Sequence, residues 1–219
     1  MKNFDYRTWI QKIIYVVINP LIKGMIRIGI TPNLVTTLGF VGNLVAMWLF
    51  LEAALAFGEG NMPCAYAYIG WGGAIILFAG LFDMMDGRLA RLGNMSSVFG
   101  ALWDSTLDRY SELVTLFAIV MVFVKADWFW MSVVTFAALV GSIMVSYVRA
   151  RAEGLQIECK VGLMQRPERV VVTAFVAIMT GLTANLWWLA GGMILIAVLA
   201  NITAFWRIAH CKKELEKKA

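Results

Sequence analysis

Six apolar runs of about 20 residues, each enough to cross a hydrocarbon core of about 30 Å, recur along this 219-residue chain. They fall at approximately 33–57, 66–86, 98–124, 128–148, 169–186 and 187–208, the last two parted only by "TANL" around Thr183 and Asn185. Only 15% of residues are charged, against about 25% in an ordinary soluble domain, and the mean hydropathy is +0.75. The expected fold class is all-α: a polytopic membrane protein with six transmembrane helices. An amphipathic segment from Phe4 to Ile28, mixing Trp9, Ile10, Ile13, Ile14 and Val17 with Lys12, Lys23 and Arg27, is expected as an N-terminal interfacial helix, bent or broken at Pro20.

Charge orients the spans. With the N-terminus inside, every Lys and Arg of the 19 except Lys125 falls in a cytoplasmic segment, the bias that the positive-inside rule describes. The net charge of +5 therefore reads as orientation plus contact with anionic phosphate, and not as nucleic-acid binding. No cleaved signal peptide is expected from "MKNFDYRTWIQKIIYVVINP". Cys64, Cys159 and Cys211 are too scattered for a disulfide framework or a metal-ligand spacing, and His210 reads as a solvated surface residue. Without repeats or linkers, residues 1–219 read as one domain: interfacial helix 1–30, six-helix bundle 33–208 and cytoplasmic tail 209–219.

Against that background the stretch "LFDMMDGRLARLGNMSSVFGALWDSTLDRYSE", residues 81–112, is anomalous. On a helix, residues three and four apart share a face, so Asp83, Asp86, Gly87 and Ala90 form one stripe and Gly100, Asp104 and Asp108 another. The short linker between them makes the two helices antiparallel neighbours with facing carboxylates. A charge within a bilayer costs about 2.5–3.5 kcal/mol even on a lenient scale, so something positive must sit among the four. Oxygen-only donors select a hard divalent cation, Mg²⁺ first and Mn²⁺ or Ca²⁺ next. Four carboxylates are enough to share two ions, the arrangement that clamps the attacking and leaving oxygens of a phosphoryl centre.

The pattern Asp83-x2-Asp86-Gly87-x2-Ala90-Arg91-x8-Gly100-x3-Asp104-x3-Asp108 resembles the signature of the CDP-alcohol phosphatidyltransferase family, eight fixed residues over 26. The resemblance implies a homodimeric membrane enzyme that displaces CMP from a CDP-linked lipid with an alcohol and needs divalent metal. It assigns Asp83, Asp86 and Asp104 to the metal ions, with Asp108 as metal neighbour and general base. Gly87, Arg91, Ser97 and the "TPNL" residues Thr31, Pro32, Asn33 and Leu34 match positions that hold the CDP moiety. Glu112, outside the signature, is expected to pair with a basic residue of a neighbouring helix or to be a buried neutral acid.

The acceptor is read from the loop between the fourth and fifth spans. Arg149, Arg151, Lys160, Arg166 and Arg169 are more cations than a neutral acceptor needs, and Arg forks suit phosphate oxygens. "SYVRARAEG" followed by "RPER" resembles the prokaryotic phosphatidylinositol-phosphate synthase branch of the family. That resemblance implies CDP-diacylglycerol as donor, inositol 1-phosphate as acceptor, and Arg149, Arg166 and Arg207 around the acceptor phosphate. "GLQIECKVGLMQ" departs from the pattern and inserts Lys160, which keeps glycerol 3-phosphate as a rival acceptor. A different class, a cation transporter using intramembrane aspartates, is opposed by the lack of inverted repeats and of paired broken helices.

Overall fold

The computed structural model describes residues 18–217, which form seven helices and no strand. Helix α1 is described over residues 18–27, the later part of the expected interfacial helix; the part before residue 18 lies outside the described residues. The others are α2 (Pro32–Gly58), α3 (Met62–Leu92), α4 (Val98–Lys125), α5 (Phe129–Gly154), α6 (Arg166–Thr183) and α7 (Trp187–Glu216). Their starts follow from local chemistry. Thr31 and Ser97 accept from the backbone N–H three residues on and so cap α2 and α4. Helix α6 opens with a capping box, Gln165 and Glu168 each satisfying the other's backbone N–H, and with a proline in its first turn. It stops at Ala184, whose φ of 48° is left-handed.

Four helices, α2, α3, α5 and α7, are long and apolar enough to cross a membrane. The remaining two expected spans are rich in charge: α4 holds Asp104, Asp108, Arg109 and Glu112, and the 18-residue α6 holds Arg166, Glu168 and Arg169. The outer surface is apolar, with Trp48, Trp71, Phe78, Phe136, Phe175 and Phe205 among its exposed side chains. That is the inverse of a water-soluble surface and suits a bundle embedded in lipid.

The six long helices close into a ring. Each packs chiefly against two others, in the order α2, α3, α6, α7, α5, α4 and back to α2. This corrects one expectation: α3 and α4 run in opposite directions, as their short linker requires, but they are not direct packing partners. Helix α2 lies between them because its glycines admit α3 closely. A Cβ on Gly42 would come within 3.1 Å of Ala79 Cβ, and one on Gly39 within 3.2 Å of Phe82 Cβ.

The start of α2, end of α3, start of α4, end of α5, start of α6 and end of α7 meet at one end of the ring. Its other end is packed tightly. A Cβ on Gly73 would lie 2.7 Å from the Ala174 carbonyl oxygen, and one on Gly181 would lie 2.5 Å from Gly70 Cα, so α3 and α6 touch backbone to backbone. Phe50, Ile69, Phe123, Leu189 and Met193 fill the neighbouring core. Trp128 and Trp187 meet there at 4.7 Å between ring centroids, and Lys125 lies beside Gly58.

Candidate active site

The helical spacing of the aspartates delivers all four to the open end of the ring. Asp86, only 4% exposed, faces α2, where the Thr36 hydroxyl donates to Oδ2 at 2.7 Å. Asp83 sits beside Gly39, where a Cβ would come within 3.2 Å of Oδ1. Asp104 stands between two cavities and lines both.

The first cavity, about 210 Å³, is lined by Pro32, Asn33, Asp86, Gly87, Arg91 and Ser97 among others. These include most of the residues expected to hold a CDP group. Gly87 leaves an opening that the Arg91 guanidinium borders, 3.6 Å from where a Cβ would be. Gly100 keeps this wall tight: a Cβ would lie 3.0 Å from Ser97 Oγ and 3.1 Å from Asn33 Oδ1. Thr31 and Leu34 do not line this cavity: Thr31 caps α2, and the Leu34 side chain is exposed.

The second cavity, about 350 Å³, is lined by Asp108, Arg149, Arg166, Arg169 and Arg207 with Asp104. The loop and the three helices that carry the expected acceptor-phosphate cations thus converge beside Asp108. Arg149 is half-exposed and pairs with Glu153 at 2.9 Å. Arg207 is buried, and its donors go to backbone, Nε to the Val161 oxygen at 2.8 Å and Nη1 to the Val145 oxygen at 2.6 Å. It therefore ties the α5–α6 loop and α5 to α7, a fastening function that the sequence reading did not include. Lys160 pairs with Glu158 at 2.6 Å on the surface and does not line the cavity.

Two ion pairs mark the site. A guanidinium lies between two of the aspartates: Arg166 donates to Asp83 Oδ2 at 2.8 Å with Nη1 and to Asp108 Oδ1 at 2.7 Å with Nη2. Among the described residues no three carboxylate, thiol or imidazole groups are gathered so as to hold a metal ion. The donor set fits a hard divalent cation, being all oxygen, and Arg166 bonds two of its carboxylates. Glu112 takes the first of its two expected roles and pairs with a basic residue of another helix, Arg169, whose Nε and Nη2 meet its two oxygens at 2.5 and 2.9 Å. Thr36 was also missed, since a threonine four residues beyond a helix start carries no distinguishing signal.

Comparisons with known proteins accord with this arrangement. The family model of CDP-alcohol phosphatidyltransferases matches residues 29–206. The phosphatidylinositol phosphate synthase of Mycobacteroides abscessus is 32% identical over 192 residues, 87% of this chain and 81% of that protein. The archaetidylinositol phosphate synthase of Methanothermobacter thermautotrophicus is 31% identical over 190 residues, 87% of each. The crystal structure of Mycobacterium tuberculosis phosphatidylinositol phosphate synthase with CDP-DAG bound superposes with a TM-score of 0.70 at 29% identity, covering 88% of this chain and 92% of that one. The same mycobacterial enzyme, in complex with manganese and citrate, also gives 0.70, covering 88% of this chain and 87% of that one. A match that takes in the aspartate stretch, the first cavity and the six long helices up to residue 206 makes this chain a transferase, a member of the CDP-alcohol phosphatidyltransferase family.

Proposed function

We propose that this enzyme transfers a phosphatidyl group from CDP-diacylglycerol to inositol 1-phosphate, releasing CMP and forming phosphatidylinositol phosphate. The observation that carries the acceptor is the second cavity, where Arg149, Arg166 and Arg207 surround a space bordered by Asp108. A neutral alcohol has no use for three guanidiniums, whereas a phosphate matches their forks. The relatives add support, because their names differ in the lipid, phosphatidyl or archaetidyl, and agree on inositol phosphate. Lys160, which kept glycerol 3-phosphate in contention, lies outside the cavity.

The first cavity takes the CDP moiety, with Asn33, Gly87 and Ser97 around it and Arg91 as the pyrophosphate's cationic partner. Thr31 and Leu34 act there through the fold of the α2 start. Asp83, Asp86, Asp104 and Asp108 would hold two divalent ions, Mg²⁺ or alternatively Mn²⁺, whose chemistry is to neutralise the phosphates and stabilise charge on departing CMP. Arg166 turns from Asp83 and Asp108 to the acceptor phosphate, which frees Asp108 to act. The acceptor hydroxyl then attacks the phosphorus that bears the diacylglycerol. Its proton passes to Asp108, the new O–P bond forms, and the P–O bond to CMP breaks in a single displacement. Asp104, on the wall between the cavities, is placed at the point where donor and acceptor meet.

Residues 1–219 act as one domain with six spans. Both termini and the site lie on the cytoplasmic side of the cell membrane, in accord with every described Lys and Arg except Lys125 lying towards the site end. A homodimer is the working assembly. The test is CMP release by the purified protein from CDP-diacylglycerol with Mg²⁺, offering inositol 1-phosphate, glycerol 3-phosphate, serine or free inositol. Stimulation by inositol 1-phosphate alone is expected, with loss of activity in chelator. Preference for serine or free inositol would overturn the acceptor assignment.

A further inference from the structure

The Glu112–Arg169 pair has no part in the chemistry just described, yet it is the most completely buried ion pair among the described residues, with side chains 7% and 2% exposed. Both carboxylate oxygens are engaged by the guanidinium fork, and the remaining terminal nitrogen, Nη1, donates to the Met164 carbonyl at 2.9 Å. This pair joins α4 to α6, two helices that are not packing partners in the ring. Side chains therefore bridge directly between two helices that the ring otherwise links only through their neighbours. Glu112 is one helical turn beyond Asp108, and Arg169 one turn beyond Arg166. The two pairs, Arg166 with Asp108 and Arg169 with Glu112, are consecutive rungs between the same helices.

The rungs differ in character. The outer one is about one-fifth exposed and borders the acceptor cavity. Its Arg166 also leaves Nε buried without a hydrogen-bond partner, so its bonding is incomplete. The inner rung is sealed. Between them the first turn of α6 is stiffened by the Gln165–Glu168 capping box and Pro167, so an error at Arg169 is carried to Arg166 and not absorbed.

We propose that Glu112 and Arg169 are positioning residues for the acceptor site: the inner rung holds α6 at the register from which Arg166 reaches both Asp83 and Asp108 on one side and the acceptor phosphate on the other. This rests on the reading of Arg166 as an acceptor-phosphate residue. The outer rung exchanges during turnover; the inner one does not.

The test compares Glu112→Gln, Glu112→Asp and Arg169→Lys, each alone and with Arg166→Ala. Glu112→Gln is expected to raise the KM of inositol 1-phosphate by about fivefold or more, to move that of CDP-diacylglycerol less than about twofold, and to add nothing when Arg166 is already Ala. Glu112→Asp, which keeps the charge, should recover most of the loss, and Arg169→Lys, which loses the fork, should not. Should Glu112→Gln fail to fold, Arg169→Lys carries the comparison, with the KM of CDP-diacylglycerol as its folding control. Effects of Glu112→Gln that multiply with those of Arg166→Ala would overturn the proposal. A second readout needs no acceptor: Mn²⁺ titration followed by electron paramagnetic resonance. Displacing Arg166 from Asp83 and Asp108 should tighten Mn²⁺ binding in Arg166→Ala and in Glu112→Gln, with the double variant no tighter than Arg166→Ala. Should the active acceptor carry no phosphate, the acceptor assignment falls while the Mn²⁺ comparison still decides whether Glu112 acts through Arg166.

Discussion

Replacing Arg169 by Met should be among the most destabilising single changes available to this protein, and replacing Glu112 by Leu in the same chain should largely repair it. Arg169→Met strips both partners from a carboxylate only 7% exposed, and a buried ion left unpaired costs about 3–5 kcal/mol. It also removes the bond to the Met164 carbonyl, worth about 1 kcal/mol. The single variant should therefore lose about 4–6 kcal/mol. Adding Glu112→Leu removes the stranded charge, and apolar replacement of a whole buried pair is commonly neutral or stabilising by about 1–4 kcal/mol. Only the Met164 carbonyl then remains unsatisfied, so the double variant should lie within about 1–2 kcal/mol of the parent. Unfolding by sodium dodecyl sulfate in mixed micelles, followed by far-UV circular dichroism, measures each corner of the cycle. A double variant as unstable as the sum of the singles would refute the reasoning. The inositol 1-phosphate KM of the double variant should stay raised even with stability restored, because leucine and methionine set no register.

Asp108→Asn should lower turnover by about 10²–10⁴-fold, the range for loss of a general base, with the KM of CDP-diacylglycerol little changed; normal CMP release by this variant would remove the assignment. Asp83→Asn and Asp86→Asn should instead weaken Mn²⁺ and CDP-lipid binding together, measured by paramagnetic resonance and by CMP-release kinetics at varied lipid, and loss of only one of the two would separate the metal from the nucleotide site. Burial, with the Cys211 thiol beside it, pushes the Cys159 thiol up to about 11. Since the thiolate is the reactive form, maleimide at pH 7.5 should modify exposed Cys64 and leave Cys159, whose rate should climb about tenfold per pH unit towards 11. Equal labelling of the two at pH 7.5, read by peptide mass spectrometry, would contradict the packing of the α5–α6 loop.

What the sequence made legible was local. Asp83, Asp86, Asp104 and Asp108 lie at helical spacings, and a helix fixes which residues share a face whatever surrounds it. The long apolar runs likewise placed α2, α3, α4, α5 and α7 to within a few residues at most of their starts. The ring order was not legible, because α2 enters between α3 and α4 through contacts such as Gly42 with Ala79, and small residues do not encode their partners. The site's cations were readable as a set, but not their individual bonds. Arg166 lies 83 residues from Asp83, and Arg169 lies 57 from Glu112. No spacing rule connects residues that far apart, so only the assembled bundle could give Arg207 its backbone oxygens and Glu112 its partner.

The backbone seam between α3 and α6 makes the enzyme sensitive at a distance. Asp83 rides on one of these helices and Arg166 on the other, while away from the site the two are held backbone to backbone by Gly70 with Gly181 and Gly73 with Ala174. Helices are stiff, so a displacement forced along that seam is carried to the side chains at their site ends. A single methyl added to Gly73 or Gly181 meets backbone that cannot yield locally, so the helices must splay. Inherited changes at these glycines would thus present in an assay as defects of chemistry, although they lie near the far end of the bundle from any substrate.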